Sequence, residues 1–224
     1  RKNNGCALEL KYGTWKISSY EPADARALCA AGFSPITAAL LCSRGYRDAG
    51  AAREFLSCSY PLSSPFALLD MDKAAARVKQ ALSRREHIAV FGDYDVDGIT
   101  ATCLLTEYLR SKGGHVTSYI PARLEEGYGL NPIAIDTLKK QGVELIVTVD
   151  CGITANHEAT LCRELGIDLV ITDHHECKSE LPQAIALVDP HRKDQPQPVT
   201  EMAGVGVAFK LAAAIEGEQE TLLD

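Results

Sequence analysis

Asp93, Asp95 and Asp97 occupy alternate positions in Gly92-Asp93-Tyr94-Asp95-Val96-Asp97-Gly98. Carboxylates so close repel one another unless a cation holds them. Two more acidic segments lie further along: Asp150 follows Val147-Thr148-Val149, and Asp173-His174-His175 follows Ile171-Thr172. Hard oxygen ligands with one or two imidazoles suit Mn²⁺ or Mg²⁺, and the imidazole leans the set towards Mn²⁺. Two such ions about 3.5–4 Å apart would clamp the attacking and leaving oxygens of an in-line phosphoryl displacement. No Ser, Cys or Lys nucleophile with a partner base is evident, so direct attack by water is the economical mechanism. Cys151 is set aside, because a thiolate selects a softer metal.

The run from Asp93 to Gly98 also matches the first half of an EF-hand calcium loop. That loop requires a bidentate Glu at its twelfth position, which here is Leu104, and it follows a helix rather than a strand. Calcium sensing is excluded on both counts. Taken alone, Asp150-Cys151-Gly152 would be an ordinary strand-to-helix turn, and two adjacent His would be weak evidence for a metal. Their joint occurrence at strand ends is what carries weight. Gly204-Val205-Gly206 has Phe209 where a third glycine of a phosphate loop would stand, so it is read as permitting close helix packing.

These segments need elements to position them. The first part of the chain reads as helical. Ser34-Pro35 caps a helix over Ile36 to Ser43 that stops at Gly45, and a second helix spans about Ala49 to Leu56. Ser57 to Pro65 reads as a connector, and Asp70 or Asp72 caps a helix to about Arg84. From His87 strands and helices alternate. Strands are expected at 87–91, 116–120, 145–149, 169–172 and 186–188, and helices at 99–109, from Asn131-Pro132 to Gly142, at 155–165 and at 207–215. This pattern predicts an α/β fold, a mostly parallel sheet with helices on both faces, preceded by a helical lead-in. The expected domains are a lead-in over 1–85, packed on the core, and an α/β domain over 86–224. Ligand sites in such sheets lie at the carboxyl ends of the strands, so the three polar segments should converge on one edge.

Bulk properties agree with a globular protein: 46% hydrophobic and 24% charged residues in a chain of 224. No apolar run is long enough to span a membrane, so no membrane association is expected. The chain begins at Arg1 without a signal region, which is read as an internal boundary of a longer polypeptide. None of the eight Cys forms a C-x-x-C pair, which points to free thiols in a reduced cytoplasmic protein. The formal charge of −7 is unusual for a nucleic-acid binder, but cations in the acidic motifs would offset it, and basic pairs occur at Arg84-Arg85, Lys139-Lys140 and Arg192-Lys193.

Together these residues resemble the DHH phosphoesterase superfamily, whose name matches the triplet Asp173-His174-His175. The likeness is greatest to its single-strand-specific DNA exonucleases. It is carried by Phe91–Ala101, by Tyr119-Ile120-Pro121-x-Arg123-x-x-Glu126-Gly127-Tyr128-Gly129, by Val149–Gly152, Thr172–His175 and Ala203–Val207, and by Arg44-Gly45-Tyr46, Phe55-Leu56 and Asp70–Ala74 in the lead-in. The resemblance implies a two-metal (Mn²⁺ or Mg²⁺) 5′-to-3′ exonuclease on single-stranded DNA, acting in recombination and repair. A helicase or a single-strand-binding protein would be a further partner. The alternative within the superfamily is a phosphodiesterase of short oligonucleotides, cyclic dinucleotides or pyrophosphate. A non-catalytic scaffold would have lost the acidic motifs, which are intact here.

Carried over by motif, Asp95, Asp97, Asp150 and His174 are metal ligands with Asp150 the bridge, and Asp93 is a ligand or its support. His175 lies beside the scissile phosphate and Asp173 orients the His pair. Arg123, Gly127, Tyr128 and Gly129 shape the path of the strand, with Arg123 on phosphate and Tyr128 stacked on a base. Two departures matter. Phe91 stands where many members carry a His ligand, which implies that water fills that position or that it is missing. Members of this kind also continue past residues 207–224 to a further Asp ligand, a second substrate-binding domain and an OB-fold, so the resemblance implies an α/β domain truncated at its C-terminal end.

Overall fold

The computed structural model describes residues 8–10, 13–15, 18–57, 62–122, 127, 129–196 and 202–217. The chain forms two compact units, Arg1–Leu62 and Ser63–Asp224. The first contains a short antiparallel pair, β1 (Leu8–Leu10) and β2 (Gly13–Trp15), which periodicity did not reveal, and three helices, α1 (Pro22–Ala30), α2 (Pro35–Ser43) and α3 (Ala49–Ser57). Ser34 caps α2 by accepting from the Thr37 amide at 3.1 Å, and Gly45 leaves the helix at φ +91°, where a side chain would be strained. Leu28, Ala38, Leu41, Cys42 and Ala52 form this unit's own small core.

The second unit opens with a single 3-10 turn, Pro65–Ala67, and α4 (Met71–Arg84). The sequence reading drew the domain boundary at 85. Instead α4 belongs with the sheet, because Met71, Ala74, Ala75, Val78 and Ala81 are buried in the same cluster as the strands. Asp70 or Asp72 was expected to cap α4, and Asp70 occupies the N-cap position, though not through its side chain. It adopts φ 61° without a side-chain cap bond, and its carboxylate accepts from Lys73 and from Arg192, each at 2.6 Å.

There follow β3 (His87–Gly92), α5 (Val96–Ser111), β4 (His115–Tyr119), α6 (Pro132–Lys140), β5 (Leu145–Val149), α7 (Asn156–Glu164), β6 (Asp168–Thr172), β7 (Ala186–Val188) and α8 (Gly204–Glu216). All five strands are parallel, in the order β4-β3-β5-β6-β7. The chain thus steps to one side of β3 and then returns to its other side. This is the doubly wound arrangement whose ligand crevice lies at the reversal, between the ends of β3 and β5.

Alternation along the strands sends side chains to two different cores. Ile88, Val90, Val147, Val149, Val170 and Val188 face α4, α5 and α8, whereas Ala89, Phe91, Ile146, Ile171 and Leu187 face α6 and α7. Covering both faces explains why these strands read as unbroken apolar runs. Among the described residues no helix is long and apolar enough to cross a membrane.

At the opposite end of the sheet, α4 is fixed by Arg77, which is 9% exposed and donates to Glu86 and Asp168, each at 2.6 Å. Removing Arg77 strands the largely buried Glu86 carboxylate, whereas Asp168 is half-exposed and stays hydrated. Arg77→Ala is therefore expected to cost about 3–5 kcal/mol of unfolding free energy, read as a lower urea midpoint at unchanged slope.

Candidate metal centre

The three polar segments do meet at the carboxyl ends of β3, β5 and β6. Asp93 follows β3 and is 3% exposed. Asp95 is the N-cap of α5, accepting from the Gly98 amide at 2.9 Å, and Asp97 sits in that helix's first turn. The helix begins three residues before the expected 99, so two of the three acids belong to a helix start rather than a loop. Gly98 allows the tight entry: a Cβ there would lie 2.4 Å from the Asp93 carbonyl oxygen.

Asp150, just past β5, is the hub. It is 1% exposed and holds φ 60°, a left-handed conformation that Asp tolerates better than most residues. Ligand-type atoms of Asp93, Asp95 and Asp150 lie within 4.8 Å of one another, and so do those of Asp150, His174 and His175. Asp150 is common to both groups. His174 Nε2 approaches Asp150 Oδ1 to 3.0 Å and Asp97 Oδ2 to 3.5 Å. Yet neither oxygen of Asp150 takes part in a hydrogen bond. A buried carboxylate whose neighbours are other lone-pair donors fits divalent cations. Burial, then the charges of Asp97 and Asp95, pushes the Asp150 carboxyl up to about 7.

Asp173 organises the pair of imidazoles. Its Oδ1 accepts from the His174 amide at 2.7 Å, the His175 amide at 3.2 Å and His175 Nδ1 at 2.7 Å, while Oδ2 accepts from the Ile153 amide at 2.9 Å. One carboxylate thus ties the end of β6 to the turn after β5. The hydrogen bond to Asp173 raises the His175 imidazole to about 9.

Other expected site residues divide in two. Gly127 and Gly129 have φ +83° and +76°, backbone that strongly favours glycine. Arg123 and Tyr128 lie outside the described residues. Phe91 is fully buried, stacked on Tyr119 with centroids 5.4 Å apart, and supplies packing rather than a ligand. Sequence reasoning missed Asp189, which follows β7 and is 0% exposed. The signal was present, an acid directly after an apolar strand, but Pro190 directed attention to a loop. It also missed the start of α8 at Gly204, whose first amides reach Asp97.

A doubly wound parallel sheet that collects carboxylates and imidazoles at its reversal point defines a domain of the metal-binding α/β class. The chain belongs to the DHH family: the model of the "DHH family, N-terminal domain" matches residues 87–224. It is similar to the "Single-stranded-DNA-specific exonuclease RecJ" of Bacillus subtilis (strain 168), 47% identical over 193 residues that make up 85% of this chain and 25% of the relative. The protein of the same name from Salmonella typhimurium is 37% identical over 194 residues, 86% of this chain and 33% of the relative. The chain therefore spans a quarter to a third of the length of these curated relatives. Among solved structures, RecJ in complex with Mn²⁺ from Thermus thermophilus aligns with a TM-score of 0.68 at 30% identity, covering 90% of this chain and 28% of that one. An exonuclease RecJ bound to manganese aligns with a TM-score of 0.64 at 36% identity, covering 70% and 40%.

Proposed function

We propose that this chain is the metal-binding core of a 5′-to-3′ exonuclease that hydrolyses phosphodiester bonds of single-stranded DNA in recombination and repair. The observation that carries it is Asp150, buried, without a hydrogen bond, and shared by both clusters of ligand-type atoms. Relatives named as single-stranded-DNA-specific exonucleases, with 47% identity in the first, support the choice of substrate. Asp93, Asp95, Asp97, Asp150 and His174 would hold two Mn²⁺ or Mg²⁺ ions, with Asp150 bridging. When bound, the ions activate water and stabilise the charge that develops on the phosphoryl oxygens.

The remaining roles fall to side chains around them. Asp173 anchors the backbone of His174 and, by accepting from His175 Nδ1, strengthens that imidazole's hold on a proton, so that His175 can donate to a phosphate oxygen. Gly127 and Gly129 shape a turn along the strand's path, and Arg123 and Tyr128 contact phosphate and base. A substrate restricted to single strands makes a helicase or single-strand-binding protein a natural partner. A cytoplasmic location is supported by the six described cysteines, all of which are free.

The test is a substrate comparison with Mn²⁺ on the full-length protein. Single-stranded DNA with a 5′ end should be degraded at least tenfold faster than duplex DNA or dinucleotides. Faster hydrolysis of dinucleotides, cyclic dinucleotides or pyrophosphate would assign the chain to the small-substrate phosphodiesterases instead.

A further inference from the structure

We propose that the backbone amides of Gly204 and Val205 are positioning groups of the metal centre, acting through Asp97; this rests on the metal reading above. Helix α8 starts at Gly204 behind Ala203, which offers no side-chain cap, and its first turn contains no acidic residue. The first N–H groups of a helix have no partner within it and carry a partial positive charge. Here the partner comes from a different helix. Asp97, 107 residues earlier, accepts from the Gly204 amide through Oδ2 at 2.7 Å and, with Oδ1, from the Val205 amide at 2.8 Å.

That clamp answers an electrostatic problem. Asp97 stands in the first turn of α5 among Asp95, Asp150 and His174, with Oδ2 only 3.5 Å from His174 Nε2. With no opposing force, repulsion from the other carboxylates would turn it towards solvent. Two amides at a helix start hold the carboxylate inward and offset part of its charge. Each carboxylate oxygen has two acceptor sites, so one site on each stays available for a cation. Gly204 makes the approach possible, because a Cβ there would lie 2.3 Å from Asp150 Oδ1. The glycine is therefore required by the metal centre itself. Val207, Ala208 and Leu211, buried in the same core as α5, keep the helix start in place.

Val205→Pro removes one of the two amide donors, and proline is tolerated in a first helical turn. Val205→Ala serves as control, since it loses the side chain but keeps the N–H. Manganese binding to the full-length protein, measured by EPR without substrate, should weaken about tenfold or more in Val205→Pro, the scale of a lost charge-assisted hydrogen bond. Val205→Ala should stay within about twofold on the same principle. Equal affinities in the two variants would overturn the proposal. A wild-type protein that binds no Mn²⁺ would sink the metal reading itself, a different outcome. Should Val205→Pro fail to fold, amide exchange by NMR in chelator decides. Asp97→Ala should speed exchange at residues 204 and 205 about tenfold while leaving 208–215 unchanged. Unaltered exchange at 204 and 205 would mean that no clamp exists.

Discussion

Asp150→Asn is expected to lower Mn²⁺-dependent hydrolysis by roughly 10³-fold or more while making the metal-free protein more stable. The expected activity loss follows from the position of Asp150 in both clusters of ligand-type atoms: ions held there would both lose a ligand, and metal stabilisation of developing charge supplies several kcal/mol, with each 1.36 kcal/mol worth about tenfold. The stability gain follows from the same burial. The Asp150 carboxyl is pushed up to about 7, first by desolvation and then by Asp97 and Asp95, so its charged form is the costly one without a cation. Its folded value lies above its unfolded one, so the folded state binds more protons between about pH 4 and 7. Stability of the chelated wild type must therefore fall as pH rises through that window and stay low above it. Asn carries no charge and accepts the left-handed backbone at φ 60°. At pH 8 in EDTA the variant should melt several degrees higher than wild type, and Mn²⁺ should raise the wild-type melting temperature only. A variant that keeps near-normal turnover would rule out Asp150 as the bridge. A variant less stable than wild type in EDTA would show that its charge is already compensated within the fold.

This sign reversal was not visible in the sequence, although much of the site was. Apolar runs ending in Asp93, Asp150 and Asp173 were legible because a parallel sheet places every such end on one edge. Convergence then follows from topology, with no knowledge of contacts. Helix starts were harder. Val96 and Asp97 were assigned to a loop because α5 begins on a charged first turn, with its apolar periodicity established only later. Gly204-Val205-Gly206 was read as a place of close helix packing but left outside the expected helix, because glycine weakens the helical signal, so the first three residues of α8 were missed. Glycine there answers to a close neighbour, Asp150, which local propensity cannot register. The clamp on Asp97 joins residues too distant in sequence to leave any pattern. The boundary at 85 came from the switch in periodicity at His87, whereas α4 is bound to the sheet by its apolar face and by Arg77.

Asp189 extends the strand-end rule to β7 and supplies a second large effect, one that does not depend on metal. Its Oδ1 accepts from the His191 amide at 2.7 Å, but Oδ2 has no hydrogen bond, and the residue is 0% exposed. His191 Nδ1 lies 3.7 Å from Oδ1, beyond hydrogen-bonding distance. Burial pushes the carboxyl up to about 7, with the His191 amide only partly opposing it. An acid with a raised folded value weakens the fold as pH climbs from about 4 to 7. Asp189→Asn keeps the shape and the acceptor for the His191 amide while removing the charge. Above pH 7 it should stabilise the chelated protein by on the order of 2–4 kcal/mol, the free energy of a shift of that size. Near pH 4, where the wild-type carboxyl is neutral in the fold, the two proteins should differ little. Urea unfolding at pH 4.5 and pH 8 gives both numbers. Equal stabilities at pH 8 would mean that Asp189 is solvated or paired once the protein is in solution, and that burial at the end of β7 is not what sets its charge.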